Sequence, residues 1–197
     1  MAGIFISYRR GVSTPYARQI YERLSTAFGA ERVFFDIDTI EVGADFIQVI
    51  ESTIDRSRLM VVVLDPTWAS VTNPDGSFRL HDTDDPVRLE VSRGLAREIT
   101  VLPVLVGGAA MPSAQVLPED LKPLVRRNAR ELSDTRWKSD VEDLVEKAAG
   151  LTGVRPAARP AANRKQTGRG KWLAATGAGV MLLIAVAVVL ALSGTFG

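Results

Sequence analysis

The chain has 197 residues, 46% of them hydrophobic, with 24 lysines and arginines against 23 acidic residues and a formal net charge of +1. That length accommodates one domain of about 150 residues plus a further segment. There is no cysteine and a single histidine, His81, which excludes disulfides, thiol catalysis and metal clusters built from cysteine or several histidines.

In chain order, GIFISY (residues 3–8) is an apolar run that predicts a first buried strand. A helix is expected from Pro15 to Phe28, behind a Ser13/Thr14 cap and closed by Gly29. VFF (33–35) predicts the second strand. Phe46, Ile47, Ile50 and Ile54 then recur at helical spacing behind Asp45. LMVVVL (59–64) predicts the third strand, and Pro86 to Arg97 a helix with proline in its first turn, where the missing N–H costs nothing. TVLPVLV (100–106), a helix near Glu119–Arg126, a short strand near ARELS (129–133) and a helix from Trp137 to Ala149 complete the pattern. Strands alternating with helices predict a flavodoxin-like, doubly wound, five-stranded parallel sheet over residues 1–150. Trp68 and Trp137 are expected to pack inside it.

Residues 151–171 read as a flexible basic linker rich in proline, alanine and glycine. From Trp172 to Leu192 no charged residue occurs. As a helix that stretch spans about 30 Å, the thickness of a bilayer core, so a transmembrane helix is expected, followed by a short tail, 193–197. Arg155, Arg159, Arg164, Lys165, Arg169 and Lys171 precede the span without an acidic residue among them, leaving 18 basic against 23 acidic residues in the first 153, a balance of −5. A basic flank stays on the cytoplasmic side, which predicts a single-pass protein with a C-terminal anchor and a cytoplasmic N-terminal domain. Beside such a span the basic patch points to anionic membrane lipid and not to nucleic acid. MAGIFISYRR lacks the apolar segment of a signal peptide.

In a doubly wound sheet the ligand crevice lies beyond the carboxyl ends of the strands. Ser7-Tyr8-Arg9-Arg10 follows the first strand, residues 36–43 follow the second, and Asp65-Pro66-Thr67-Trp68 follows the third. Val87, Val91 and Leu95 form a buried helical stripe, and Glu90 falls roughly 60° from its edge, able to face the same crevice as Arg9, Arg10 and Glu41. Gly94, one turn on, is read as a gap that makes room for a ligand. A phosphoacceptor receiver domain is excluded. Its magnesium needs an acidic pair after the first strand, where Arg9 and Arg10 would repel the metal, and ELSDTRW offers no lysine after the fifth. Asp65-Pro66 reads as a turn, and Asp36 and Asp38 as loop caps. No metal and no resident cofactor are expected.

Taken together, IFISYRR (4–10), VFFDIDTIEVGADF (33–46), VVVLDPTW (61–68) and DPVRLEV (85–91) resemble a Toll/interleukin-1 receptor (TIR) domain of bacterial type. LPVLVGG (102–108) and MPSAQVLPEDLKPL (111–124) resemble its later part, so the resemblance runs from about Ile4 to Leu144. It implies the TIR fold and one of two occupations. Some TIR domains are interaction modules that assemble through the loop after the second strand, here Asp36, Ile40 and Gly43, with themselves or with other TIR proteins. Others cleave NAD+ between nicotinamide and ribose, with a glutamate of the third helix that matches Glu90. Arg9, Arg10 and Glu41 match positions near the dinucleotide, so NAD+ is expected as substrate.

One carboxylate suffices for that reaction. Ordinary glycosidases need a second group to protonate the leaving oxygen, whereas nicotinamide leaves as a neutral molecule because its ring nitrogen starts cationic. What remains is to hold the ribose and to stabilise the positive charge growing on it. Arginines at positions 9 and 10 suit the pyrophosphate. The sequence departs from the family at Pro86, where many NAD-cleaving relatives carry tryptophan; Trp68 and Phe78 are the aromatic candidates to replace it. If NAD+ is not turned over, a membrane-tethered scaffold is the expected alternative.

Overall fold

The computed structural model describes residues 2–35 and 46–157. Asp36, Ile40, Glu41, Gly43, the Asp45 cap, most of the 151–171 linker and the 172–192 span lie outside the described residues. Within those residues no helix is long and apolar enough to cross a membrane.

Five strands, β1 (Gly3–Tyr8), β2 (Val33–Phe35), β3 (Ser57–Leu64), β4 (Thr100–Val106) and β5 (Arg130–Leu132), form one parallel sheet in the order β2-β1-β3-β4-β5. The α-helices are α1 (Thr14–Phe28), α2 (Phe46–Asp55), α3 (Pro86–Ala96) and α4 (Trp137–Thr152). This is the doubly wound arrangement expected from the alternating pattern, and its chain order reverses between β1 and β3.

Strand alternation sorts the side chains into two cores. Ile4 and Ile6 of β1, with Leu59, Val61 and Val63 of β3, pack against Ile20 and Leu24 of α1 and Leu144 and Ala148 of α4. Phe5 points to the other face, with Met60, Val62 and Leu64, against Ile50 and Ile54 of α2 and Val87 and Val91 of α3. Ser7 and Arg9 share the parity of Phe5, so β1 presents a phenyl ring, a hydroxyl and a guanidinium in succession to the α3 side.

The helix expected near Glu119–Arg126 is present at those bounds and winds as a 3-10 helix. Pro123 sits inside it and cannot supply an α-helical N–H, while Leu121 and Leu124, both fully buried, align at the three-residue period of a 3-10 turn. Several expectations need correction. Ser13 does precede α1, but its side chain does not cap the helix. Its hydroxyl goes to Asp65 instead. Ile47 is exposed, unlike Ile50 and Ile54.

Gly94 is not a ligand space. A β-carbon there would lie 2.5 Å from the terminal methyl of Met60 and 2.6 Å from its sulfur. The missing side chain lets β3 and α3 approach closely, with a flexible thioether filling the gap.

Candidate functional site

The site forms where β1 ends beside β3. Glu90, half-buried on α3, accepts a hydrogen bond from Ser7 Oγ to its Oε2 at 2.6 Å. Ser7 is completely buried. A short bond from a hydroxyl to a carboxylate belongs to the stronger, charge-assisted class.

Two residues further on, just past the end of β1, Arg9 makes a fork-to-fork contact with Asp85. Nη1 donates to Oδ2 and Nη2 to Oδ1, both at 2.9 Å. The two side chains are 4% and 1% exposed, so the pair is effectively out of water. Asp85 is also the N-cap of α3, accepting from Arg88 N–H at 3.0 Å, and Arg79 Nε lies 3.3 Å from its Oδ2. One carboxylate thus satisfies a helix end and binds the chain after β1.

Further arginines fasten the rest of α3. Arg88 donates to Asp120 and to the His81 carbonyl, Arg93 to Glu51 on α2, and Arg97 to Asp55. Across the crevice, Asp65 accepts from the N–H of Thr67 at 2.7 Å and from its hydroxyl, as well as from Ser13. Asp65 is the turn residue expected from its position before Pro66, and it also ties α1 to the end of β3. On the outer flank, burial raises the Tyr16 hydroxyl above the usual tyrosine range, and its hydrogen bond to Asp134 and the charge of that carboxylate add to the effect.

Of the residues singled out from sequence, Glu90 reaches the end of β1 through Ser7, and Arg9 and Arg10 follow that strand directly. Arg10 is exposed in the turn after β1, whereas Arg9 is buried against Asp85. Glu41, Asp36, Ile40 and Gly43 lie outside the described residues. Trp68 is 2% exposed inside the α3-side core, so it packs and offers no open ring face. Phe78 is 50% exposed, its ring tilted against His81. Trp137 packs against Tyr16. The sequence puts Ser7 in the crevice segment after the first strand but gives it no role, and leaves Asp85 unassigned; the alternation of β1 is the signal for the first, and the Asp-Pro step opening a helix is the signal for the second. Among the described residues no cluster of three or more His, Asp or Glu side chains is arranged to hold a metal ion.

A five-stranded parallel sheet in the order β2-β1-β3-β4-β5, with a half-buried carboxylate at its β1/β3 switch point, is a doubly wound domain of the flavodoxin-like class. The family model of the TIR domain matches residues 4–145, and the chain belongs to that family. Among solved structures, it is similar to the TIR domains of the activated Roq1 resistosome that directly recognises the pathogen effector XopQ, with 15% identity over 75% of this chain and 99% of that one, at a TM-score of 0.55. A metazoan TIR-STING receptor from C. gigas, in complex with 2',3'-cGAMP, matches with 20% identity over 74% of this chain, at a TM-score of 0.47. This chain covers 38% of that receptor's length. At such identities the likeness is one of fold.

Proposed function

We propose that this TIR domain is an NAD+ glycohydrolase in which Glu90 carries the chemistry. The observation that supports it best is the half-buried Glu90 carboxylate, oriented by Ser7 at the switch point of the sheet. In the reaction the bond between ribose C1' and the pyridinium nitrogen breaks, and its electron pair neutralises the ring as nicotinamide leaves. The Glu90 carboxylate stabilises the cation left on the sugar. Water adds to C1' and releases a proton, giving ADP-ribose; capture of C1' by a nucleophile within the ADP-ribosyl group would give a cyclised product instead. Arg10, exposed beside the site, suits the pyrophosphate, and Arg9 holds the start of α3 through Asp85. Glu41, which matches an acidic residue of the family's loop after the second strand, is assigned to substrate binding.

Asp36, Ile40 and Gly43 are assigned to contacts between neighbouring domains, with activity requiring that association. The test is nicotinamide release from NAD+ by the purified full chain over a range of protein concentrations. Specific activity should rise with concentration. A wild-type protein that releases no nicotinamide even when concentrated sinks the reading.

A second reading, a TIR scaffold that recruits other TIR domains without turnover, is favoured by one observation. Pro86 stands where many NAD-cleaving relatives carry tryptophan, and Trp68 is buried in the core and does not replace it.

In either case we assign the protein to a membrane through residues 172–192, with the TIR domain on the cytoplasmic side. The full chain should sediment with membranes and stay there through high-salt and alkaline washes. Release by salt alone would show that only the basic residues before the span bind lipid headgroups.

A further inference from the structure

We infer that Ser7 is a positioning residue for Glu90. This rests on the glycohydrolase reading above and extends it to a residue that does not itself meet the substrate. Ser7 is completely buried, at the penultimate position of β1, with backbone hydrogen-bonded neighbours on its β3 side; its register partner there is Val62. A hydroxyl so placed has little freedom to choose another acceptor. Its proton lies along the 2.6 Å line to Glu90 Oε2, and the parity of β1 points it at α3 and not at α1.

A glutamate on a helix surface has three rotatable bonds and samples several rotamers. The residue spacing of α3 brings Glu90 beside the stripe of Val87 and Val91 but leaves its carboxylate plane undetermined. The short bond from a rigid strand narrows that freedom by fixing the position of Oε2. Electrostatic stabilisation of a transition state depends on charges already in place, so the bond acts on the rate of bond breaking more than on the affinity for NAD+. Polar packing explains Ser7 less well. Phe5, two residues before it on the same face, and Val62, its register partner, are apolar and buried, and alanine would serve there without a polar atom to satisfy.

The test compares Ser7→Ala and Ser7→Thr with wild type in the full chain, measuring kcat and KM for nicotinamide release together with Tm. Ser7→Ala should lower kcat by about tenfold or more, as expected for loss of a charge-assisted hydrogen bond. KM should stay within about twofold. Ser7→Thr keeps the hydroxyl and should recover most of kcat. If the extra methyl unfolds that variant, Ser7→Ala alone decides, because its kcat is read well below its own Tm. A kcat unchanged in a folded Ser7→Ala protein, or a fall confined to KM, overturns the positioning role while leaving the glycohydrolase reading intact. An inactive wild type overturns both.

Discussion

Replacing Glu90 by glutamine is expected to reduce nicotinamide release at least a hundredfold while the domain stays folded. The amide has nearly the volume of the carboxylate and keeps an oxygen that can accept the Ser7 hydroxyl, so the site retains its shape. What disappears is the negative charge. On the glycohydrolase reading, the positive charge it would stabilise develops on the ribose mainly in the transition state, so turnover should suffer far more than NAD+ binding. Removing one preorganised electrostatic group typically costs about 3 kcal/mol or more of barrier, which corresponds to a factor above roughly 100. Glu90→Ala should be equally inactive but somewhat less stable, since it strands the buried Ser7 hydroxyl at a cost of about 1–3 kcal/mol. Single-turnover kinetics with saturating NAD+ would measure the effect. Wild-type-like turnover in Glu90→Gln would remove Glu90 from the mechanism.

The largest expected loss of stability belongs to Asp85→Ala. Asp85 compensates the charge of Arg9 in a place where both side chains are almost fully buried. Removing one partner of such a pair leaves the other charge without water and without a counterion, which costs about 3–5 kcal/mol. The same substitution deletes the N-cap of α3, typically worth about 1 kcal/mol. Thermal unfolding should therefore shift down by on the order of 10–15 °C. Asp85→Asn can still cap the helix and accept one hydrogen bond, and should fall between alanine and wild type. A loss below about 1 kcal/mol in Asp85→Ala would mean that Arg9 finds other compensation. Because Asp85 and Glu90 lie on one short helix, the alanine variant should also lose activity, and the glutamine variant at position 90 separates that loss from destabilisation.

Much of this architecture is legible in the sequence because it depends on local or periodic signals. Four of the five strands follow from apolar runs, the fifth, near ARELS, completes the alternation with helices, and the start of α3 follows from Pro86. Glu90 was placed by helical spacing from Val87 and Val91, both of which are buried in the same core. The 3-10 segment at Glu119–Arg126 was helical in pattern, but the internal proline decides the tighter turn. Contacts between distant polar residues could not be read the same way. Ser7 meets Glu90 across 83 positions and Arg9 meets Asp85 across 76. Nothing local distinguishes an arginine that will bind a phosphate from one that will neutralise a buried aspartate. Gly94 carries the same lesson. Its missing side chain was visible, but what filled the space, Met60, came from another strand.

The clamp between β1 and α3 also bears on how the chain finds a single registry. Ile4, Phe5 and Ile6 are all apolar and all buried, because the strand is covered on both faces. Apolar burial alone therefore discriminates poorly between the native pairing of β1 and one displaced by a residue. A displaced strand would turn Tyr8 toward Glu90 and Arg10 toward Asp85, or Ile6 and Tyr8 in the opposite sense, and every side chain would change face. Ile6 and Tyr8 do not supply a hydroxyl for Glu90 together with a guanidinium for Asp85. Tyr8 and Arg10 do carry a hydroxyl and a guanidinium, but the phenyl ring sets the tyrosine hydroxyl far beyond the position of Ser7 Oγ, so it cannot reproduce the short bond to Glu90. The two polar contacts thus act as a parity check on the folded chain, and a molecule that fails it has a sheet of ordinary appearance without the Ser7–Glu90 and Arg9–Asp85 contacts.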